Sequence, residues 1–199
     1  MPEGQRSGIR ATEARATRRS VGIRRAAQPN GKSEGSRKLS KGHDRKTNAI
    51  RAFDAAEADY RARFFECPEA LSGVEVAQML GLDEDRVFKT LVTEGRSGEH
   101  YVFMIPAACE LDLKKAAASV GEKAVSMVKS RELLPLTGYV HGGCSPVGMK
   151  KPFPTAIDET ATLYDRIVFS GGRIGCQIET TLGDLRRVAP LKIADLIVV

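Results

Sequence analysis

Apolar residues recur at helical spacing at Ile50, Phe53 and Ala56, which predicts a first helix over residues 48–58. Partial alternation over residues 60–66 predicts a strand after it. Ser72-Gly73-Val74-Glu75 reads as a capping box, in which the serine hydroxyl takes one orphan amide and Glu75 reaches back to another. Val74, Val76, Met79 and Leu80 carry that helix forward, and Gly81 stands where it should stop. Residues 87–92 and 101–105 read as strands on either side of the turn-rich Gly95-Arg96-Ser97-Gly98, with Pro106 closing the second. An amphipathic helix over 112–120, stopped by Gly121, leads to a short strand near 124–128 and a short helix near 131–134. Strands are expected at 155–157, 166–169 and 176–179, a helix at 181–188, and the run 193–199 is apolar but for Asp195. Strands and helices mixed without regular alternation predict an α+β fold: a single domain with a mixed β-sheet flanked by helices.

The first 45 residues change the picture. They lack apolar periodicity and are dominated by Gly, Ser, Arg and Ala, so they bury too little surface to offset the entropy of ordering. We therefore expect a disordered basic arm over 1–45 and a folded domain over 46–199. Residues 1–46 hold 13 Lys or Arg against 4 Asp or Glu, a net +9; residues 47–199 hold 18 against 21, a net −3. The pI near 9.2 thus belongs to the arm, and any charge-based case for nucleic acid begins there. Arg18, Arg19, Arg24 and Arg25 suit RNA phosphates, but a plain solvated tail is the favoured account, since like-charge blocks are usually disordered. Cys67, Cys109, Cys144 and Cys176 lie far apart, with no zinc-ligand spacing, and read as reduced thiols. No stretch approaches the roughly 18 apolar residues of a membrane span.

Candidate chemistry is sparse. Lys89 interrupts the apolar run Val87-Phe88-Lys89-Thr90-Leu91-Val92 and shares a strand face with Val87 and Leu91. Such a lysine is either an edge-strand guard against aggregation or a cleft cation for a phosphate, a ribose oxygen or a developing oxyanion. Gly142-Gly143-Cys144-Ser145-Pro146 offers close backbone approach, exposed amides and a hydroxyl, or else is simply a tight turn. Ser170-Gly171-Gly172 forms a second such loop. Neither is a phosphate-loop match. His43, His100 and His141 are scattered. The pair His141 and Ser145 has no persuasive spacing, and Cys144 reads as a small packing residue.

The same segments, taken in order, resemble the YbaK/EbsC family of prolyl-tRNA editing proteins. The match runs over about residues 46–197: Lys46-Thr47-Asn48-Ala49, Leu71-Ser72-Gly73-Val74-Glu75-Val76, Val87-Phe88-Lys89-Thr90-Leu91 and Glu110-Leu111-Asp112-Leu113-Lys114-Lys115. It continues through Thr137-Gly138-Tyr139-Val140, the run from Gly142 to Lys151, Ile157-Asp158-Glu159, Ser170-Gly171-Gly172 and Gly175-Cys176-Gln177-Ile178-Glu179. The resemblance implies a pocket for the aminoacyl-adenosine end of mischarged tRNA and cleavage of its ester, typically in Cys-tRNA(Pro). For cysteine it implies substrate assistance: the substrate thiol attacks its own carbonyl, so the protein supplies positioning and charge stabilisation. No cofactor or metal is implied. Lys89 falls on the family's functional lysine, with Thr90 beside it. Gly142, Gly143, Ser145 and Pro146 fall on the substrate-cradling loop, and Ser170, Gly171 and Gly172 on a second pocket loop. Three positions depart from the cysteine-specific members: Ser72 stands for an aromatic, Phe65 for a tyrosine and Gln177 for an aspartate. The accepted side chain is therefore open between cysteine and a small residue such as alanine or serine, for which an activated water would attack.

The implied partners are mischarged tRNA and prolyl-tRNA synthetase, and the implied setting is cytoplasmic. A competing reading is a non-catalytic RNA-binding or regulatory protein on the same fold. A third is a pocket for a small phosphorylated metabolite.

Overall fold

The computed structural model describes residues 46–67 and 69–198; the expected arm over 1–45 lies outside them. The elements are α1 (Asn48–Ala55), β1 (Tyr60–Phe64), α2 (Gly73–Leu80), β2 (Val87–Gly95), β3 (His100–Pro106), α3 (Leu113–Val120), β4 (Val125–Met127) and α4 (Ser130–Thr137). They continue with β5 (Thr155–Asp158), β6 (Ile167–Ser170), β7 (Cys176–Thr180), α5 (Leu182–Val188) and β8 (Leu191–Ala194). Short 3-10 turns occupy Glu84–Arg86 and Glu159–Leu163. Among the described residues this is an eight-stranded mixed sheet flanked by five helices, the α+β architecture expected from the pattern.

Strand order is β1-β7-β6-β2-β3-β5-β8, with β4 pairing β2 off this path. The β2–β6, β3–β5 and β5–β8 pairs are parallel and the remainder antiparallel. One face packs Phe88, Met104, Ile157, Ile167, Phe169 and Ile178 against Ile50 and Phe53 of α1 and Leu185 of α5. On the opposite face Phe103 and Ile105 meet Ala116 and Ala117 of α3, while Val87 and Val168 meet Ala77 of α2. This alternation along each strand is what burying both faces requires.

Local chemistry sets the element ends. Thr47 caps α1 by accepting from the Ile50 amide, and α1 stops at Ala55, three residues before the expected end, with Ala56 as its cap. Ser72 and Glu75 close the capping box as read, and Gly81 ends α2 in the left-handed region at φ 64°. The helix expected near 131–134 runs on to Thr137 through Pro135, which removes one ladder bond without stopping it. Strand β2 reaches Gly95, beyond the expected end at Val92, because β4 pairs with Thr93, Glu94 and Gly95. The apolar run after residue 193 pairs only to Ala194; further on Leu196 is fully buried and Ile197 bridges to Leu111.

Ile178 is fully buried on β7, between β1 and β6. Ile178→Ala should lower unfolding free energy by about 3 kcal/mol, the typical cost of a large-to-small core change, read from the shift in urea midpoint.

Candidate functional site

The site follows from an interruption in the sheet. On one edge β2 pairs with β3 from Phe88 to Glu94 without a break. On its other edge it pairs with β6 at Val87 and Phe88 and with β4 from Thr93 to Gly95, and no strand covers the residues between. The Val87 carbonyl accepts from the Ala107 amide on the β3 side at 2.7 Å, and the Val92 carbonyl accepts from the Val128 amide on the β4 side at 3.0 Å. Alternation along the strand therefore turns the amide and carbonyl of Thr90 toward the open edge. The gap also explains why Lys89, Thr90 and Leu91 are only half-buried in an otherwise buried central strand.

A cavity of about 400 Å³ occupies this gap, a volume suited to a small-molecule group. Its floor is β2 from Val87 to Val92; its walls are the start of α2, the β4–α4 segment, the loop at 141–144, and Ser170 and Gln177 from β6 and β7. Lys89 is the one Lys, Arg, Asp or Glu on these walls among the described residues. Its Nζ donates to the Ala107 carbonyl at 3.0 Å, which leaves two ammonium protons for another acceptor. Partial burial holds its pKa below the ordinary lysine value, opposed by nearby Cys109 and Glu110. The edge-guard reading of Lys89 fails, because β2 is a central strand.

Of the residues singled out from sequence, Lys89, Thr90, Ser72, Gly142, Ser170 and Gln177 all line this cavity. Gly143, Ser145, Pro146, Gly171, Gly172 and Phe65 are not on its walls. Ser145 is fully buried, and its hydroxyl, like that of Thr90, has no hydrogen-bond partner among the described residues. Gly143 packs on the backbone of Arg173 and Ile174, so it joins the two glycine loops rather than facing the cavity. Gly172, at φ 92°, sits against the Tyr139 ring, where a Cβ would come within 2.9 Å. Gly142, at φ 77°, leaves no room for a Cβ, which would lie 2.4 Å from that of Ala70. Phe65 is tied through its amide to the Gly175 carbonyl at 2.9 Å, beside β7.

The structure adds residues that sequence reasoning passes over. Met127, Val128, Ser130 and Leu133 form the wall opposite α2, and the pattern hints at it only through a weak strand followed by a helix cut short at its proline. His141, read as a surface residue, is exposed and also lines the cavity. Among the described residues no hydrogen bond joins it to Cys144 or Ser145. Cys144 packs with Val92, Val102, Leu133 and Tyr139, and burial pushes its thiol up to about 12, which keeps it protonated near neutrality. No helix among the described residues is long and apolar enough to cross a membrane.

The sheet thus opens over one lysine, walled by small polar and apolar side chains. The chain belongs to the aminoacyl-tRNA editing domain family, which its residues 67–188 match. It is 46% identical over 135 residues to a candidate Cys-tRNA(Pro)/Cys-tRNA(Cys) deacylase, EbsC, of Enterococcus faecalis, covering 67% of this chain and 82% of that protein. The crystal structure of a candidate trans-editing enzyme for prolyl-tRNA synthetase superposes with a TM-score of 0.67 at 26% identity, covering 76% of this chain and 96% of that one. A proline–tRNA ligase of Thermosipho melanesiensis shares 28% identity over 109 residues, which is 54% of this chain and 19% of the ligase.

With Lys89 labelled by reductive ¹³C-methylation, its NMR titration midpoint should fall below that of ordinary lysine, because partial burial disfavours the charged form. A midpoint at or above the ordinary value would contradict the half-buried ammonium.

Proposed function

We propose that the chain is a trans-acting aminoacyl-tRNA deacylase that cleaves the aminoacyl ester of mischarged tRNA, Cys-tRNA(Pro) or a related species. The observation that carries this reading is the cavity itself: one cation, an open strand edge, and no paired nucleophile and base among the described residues. A site built this way suits a substrate that brings its own nucleophile, or a water, to an ester held in place. Two of the relatives named above support this reading: one is described as a candidate Cys-tRNA(Pro)/Cys-tRNA(Cys) deacylase and the other as a candidate trans-editing enzyme for prolyl-tRNA synthetase.

In this mechanism the terminal adenosine and its aminoacyl group enter the gap in β2. Lys89 faces the ester carbonyl, and the Thr90 amide on the open edge is a second donor to the same oxygen. When a nucleophile adds to the carbonyl carbon, negative charge grows on that oxygen, and the fixed ammonium stabilises it without reorganising. The carbon–oxygen bond to the ribose then breaks, and the ribose oxygen leaves with a proton. With a cysteinyl ester the substrate thiol is the nucleophile and a cyclic thioester departs. With alanyl or seryl esters water attacks and the free amino acid departs. Ser72, Ser170, Gln177 and the unpartnered Thr90 hydroxyl supply hydrogen-bonding groups for the ribose and the aminoacyl end. Gly142 lets the 141–144 loop approach the substrate closely. Gly143, Ser145, Pro146, Gly171 and Gly172 act from behind the walls by holding the two loops together, and Phe65 anchors the edge of β7. The partners in this reading are the acceptor end of mischarged tRNA and prolyl-tRNA synthetase, which supplies mischarged product.

Ester release from tRNA charged with cysteine, alanine, serine or proline tests this. One mischarged species should be released rapidly, and Lys89→Ala should slow it by about 10²- to 10³-fold, the usual effect of losing an oxyanion donor, with tRNA affinity within about twofold. No release from any of the four despite tight tRNA binding would favour the non-catalytic RNA-binding alternative.

A further inference from the structure

One face of the sheet continues from the cavity to its outer edge. On that face the cross-strand neighbours Ser170, Gln177 and Arg63 form one row over β6, β7 and β1. Val168, Glu179 and Arg61 form the next row, two residues along each strand and so about 7 Å away. Ser170 and Gln177 are cavity walls. Arg63 is therefore the first side chain outside the cavity on this side, and Arg61 the second.

Glu179 is the unusual member. Its side chain is only 5% exposed, yet it is held as a carboxylate between two guanidinium groups. Arg63 donates from Nε at 2.9 Å and from Nη2 at 2.5 Å to one oxygen, and Arg86 donates from Nη2 at 3.2 Å to the other. Burial raises the Glu179 pKa, but Arg63, Arg86 and Arg61 outweigh it and hold the carboxyl below its ordinary value. Arg86 is also fixed by donating to the Arg166 carbonyl at 3.1 Å, and it lies in the turn capped by Asp83, beside Asp85. Arg86 thus serves as the second clamp on Glu179. Arg63, about one-third exposed, keeps Nη1 for an outside acceptor, and Arg61 is exposed. Three guanidinium groups around one carboxylate leave a local net +2, in a domain whose residues 47–199 carry −3.

Arginines on an edge strand also guard against strand-to-strand aggregation. That role does not require a buried carboxylate, whose desolvation is costly unless its geometry is used. What the carboxylate does is fix the Arg63 fork in advance, so that little rotamer entropy is lost when it meets an anion.

We propose that Arg63, preorganised by Glu179, and its exposed neighbour Arg61 form a phosphate-contact strip for the RNA backbone that leads the terminal nucleotide into the cavity. The proposal rests on the deacylase reading for the direction of the strip, and it assigns to β1 a role in holding the acceptor stem. Phosphate contacts of this kind position the RNA without reading its sequence.

The full-length protein and its Arg61→Glu, Arg61→Ala and Arg63→Gln variants test this. Two probes are used: an acceptor-stem RNA hairpin, for binding between 50 and 200 mM salt, and an aminoacyl-adenosine ester, for turnover. Arg61 is exposed and forms no hydrogen bond or ion pair with Glu179 among the described residues, so its variants should keep a melting temperature close to wild type. Hairpin binding should weaken about tenfold or more in Arg61→Glu, and the slope of log affinity against log salt should fall by about one in Arg61→Ala. Arg63→Gln should weaken hairpin binding in the same direction. Turnover of the adenosine ester should stay within about twofold of wild type in the Arg61 variants, since phosphate contacts position the RNA and take no part in the chemistry. Unchanged hairpin affinity in both Arg61 variants, or hairpin binding too weak to measure in wild type, overturns the strip, as does a change confined to aggregation. Failure of wild type to turn over either the ester or charged tRNA would instead sink the deacylase reading, while the binding comparison still decides the strip.

Discussion

The ammonium of Lys89 hangs on a single main-chain carbonyl, that of Ala107, in the one stretch of a central strand that its neighbours leave uncovered. Almost everything else in the site follows from that constraint. A lysine in a fully paired strand would be pressed into a helix layer and would lose its charge or expel its neighbours. Here β6 departs after Phe88 and β4 joins only at Thr93, so the side chain has a cavity to occupy and a carbonyl to hold it. The helices α2 and α4 then wall the opening. Partial burial lowers the Lys89 pKa, and nearby Cys109 and Glu110 act against that shift.

Much of this is written locally in the chain. The helix ends are legible because their chemistry is local: Ser72 with Glu75, Gly81 and Gly121 all cap as their residue types require. The lysine is legible because a charge inside Val87-Phe88-Lys89-Thr90-Leu91-Val92 breaks the pattern. Its location in the sheet is not, because strand order is a property of pairing between segments far apart in sequence. An edge strand and a split central strand have the same local pattern. The β4–α4 wall is obscured by Pro135, since proline ordinarily ends a helix and here does not. The glycine loops read as tight turns, but which glycines face the cavity depends on neighbours such as Ala70 and Tyr139 that only the fold brings together.

Glu179 shows the same limit from the other direction. Its motif reads as the tail of a strand, and nothing local marks it as the meeting point of Arg63 from β1 and Arg86 from the turn before β2. Both contacts are long in sequence, at 116 and 93 residues. The result ties the outer strand to the strand that carries Lys89. A displacement of β1 would therefore be felt at the cavity through Gln177, which pairs with Arg63 on one side and with Ser170 on the other.

In the proposed reaction, the charge on the cavity walls lets the protein act without a nucleophile of its own. Among the described residues Lys89 is the one Lys, Arg, Asp or Glu on the walls. Such a site does little for a neutral ester in its ground state, and its advantage appears when the carbonyl oxygen takes on negative charge. A carboxylate beside Lys89 would pair with the ammonium and cancel that difference. At position 177 a neutral glutamine keeps a hydrogen-bonding group on the wall without placing a carboxylate there. A thiol or a water needs only to be held within reach of the carbon for this difference to act on it. On the deacylase reading proposed above, the preference among substrates follows from how well each side chain fills the cavity lined by Ser72, Leu133 and Gln177, not from which residue attacks.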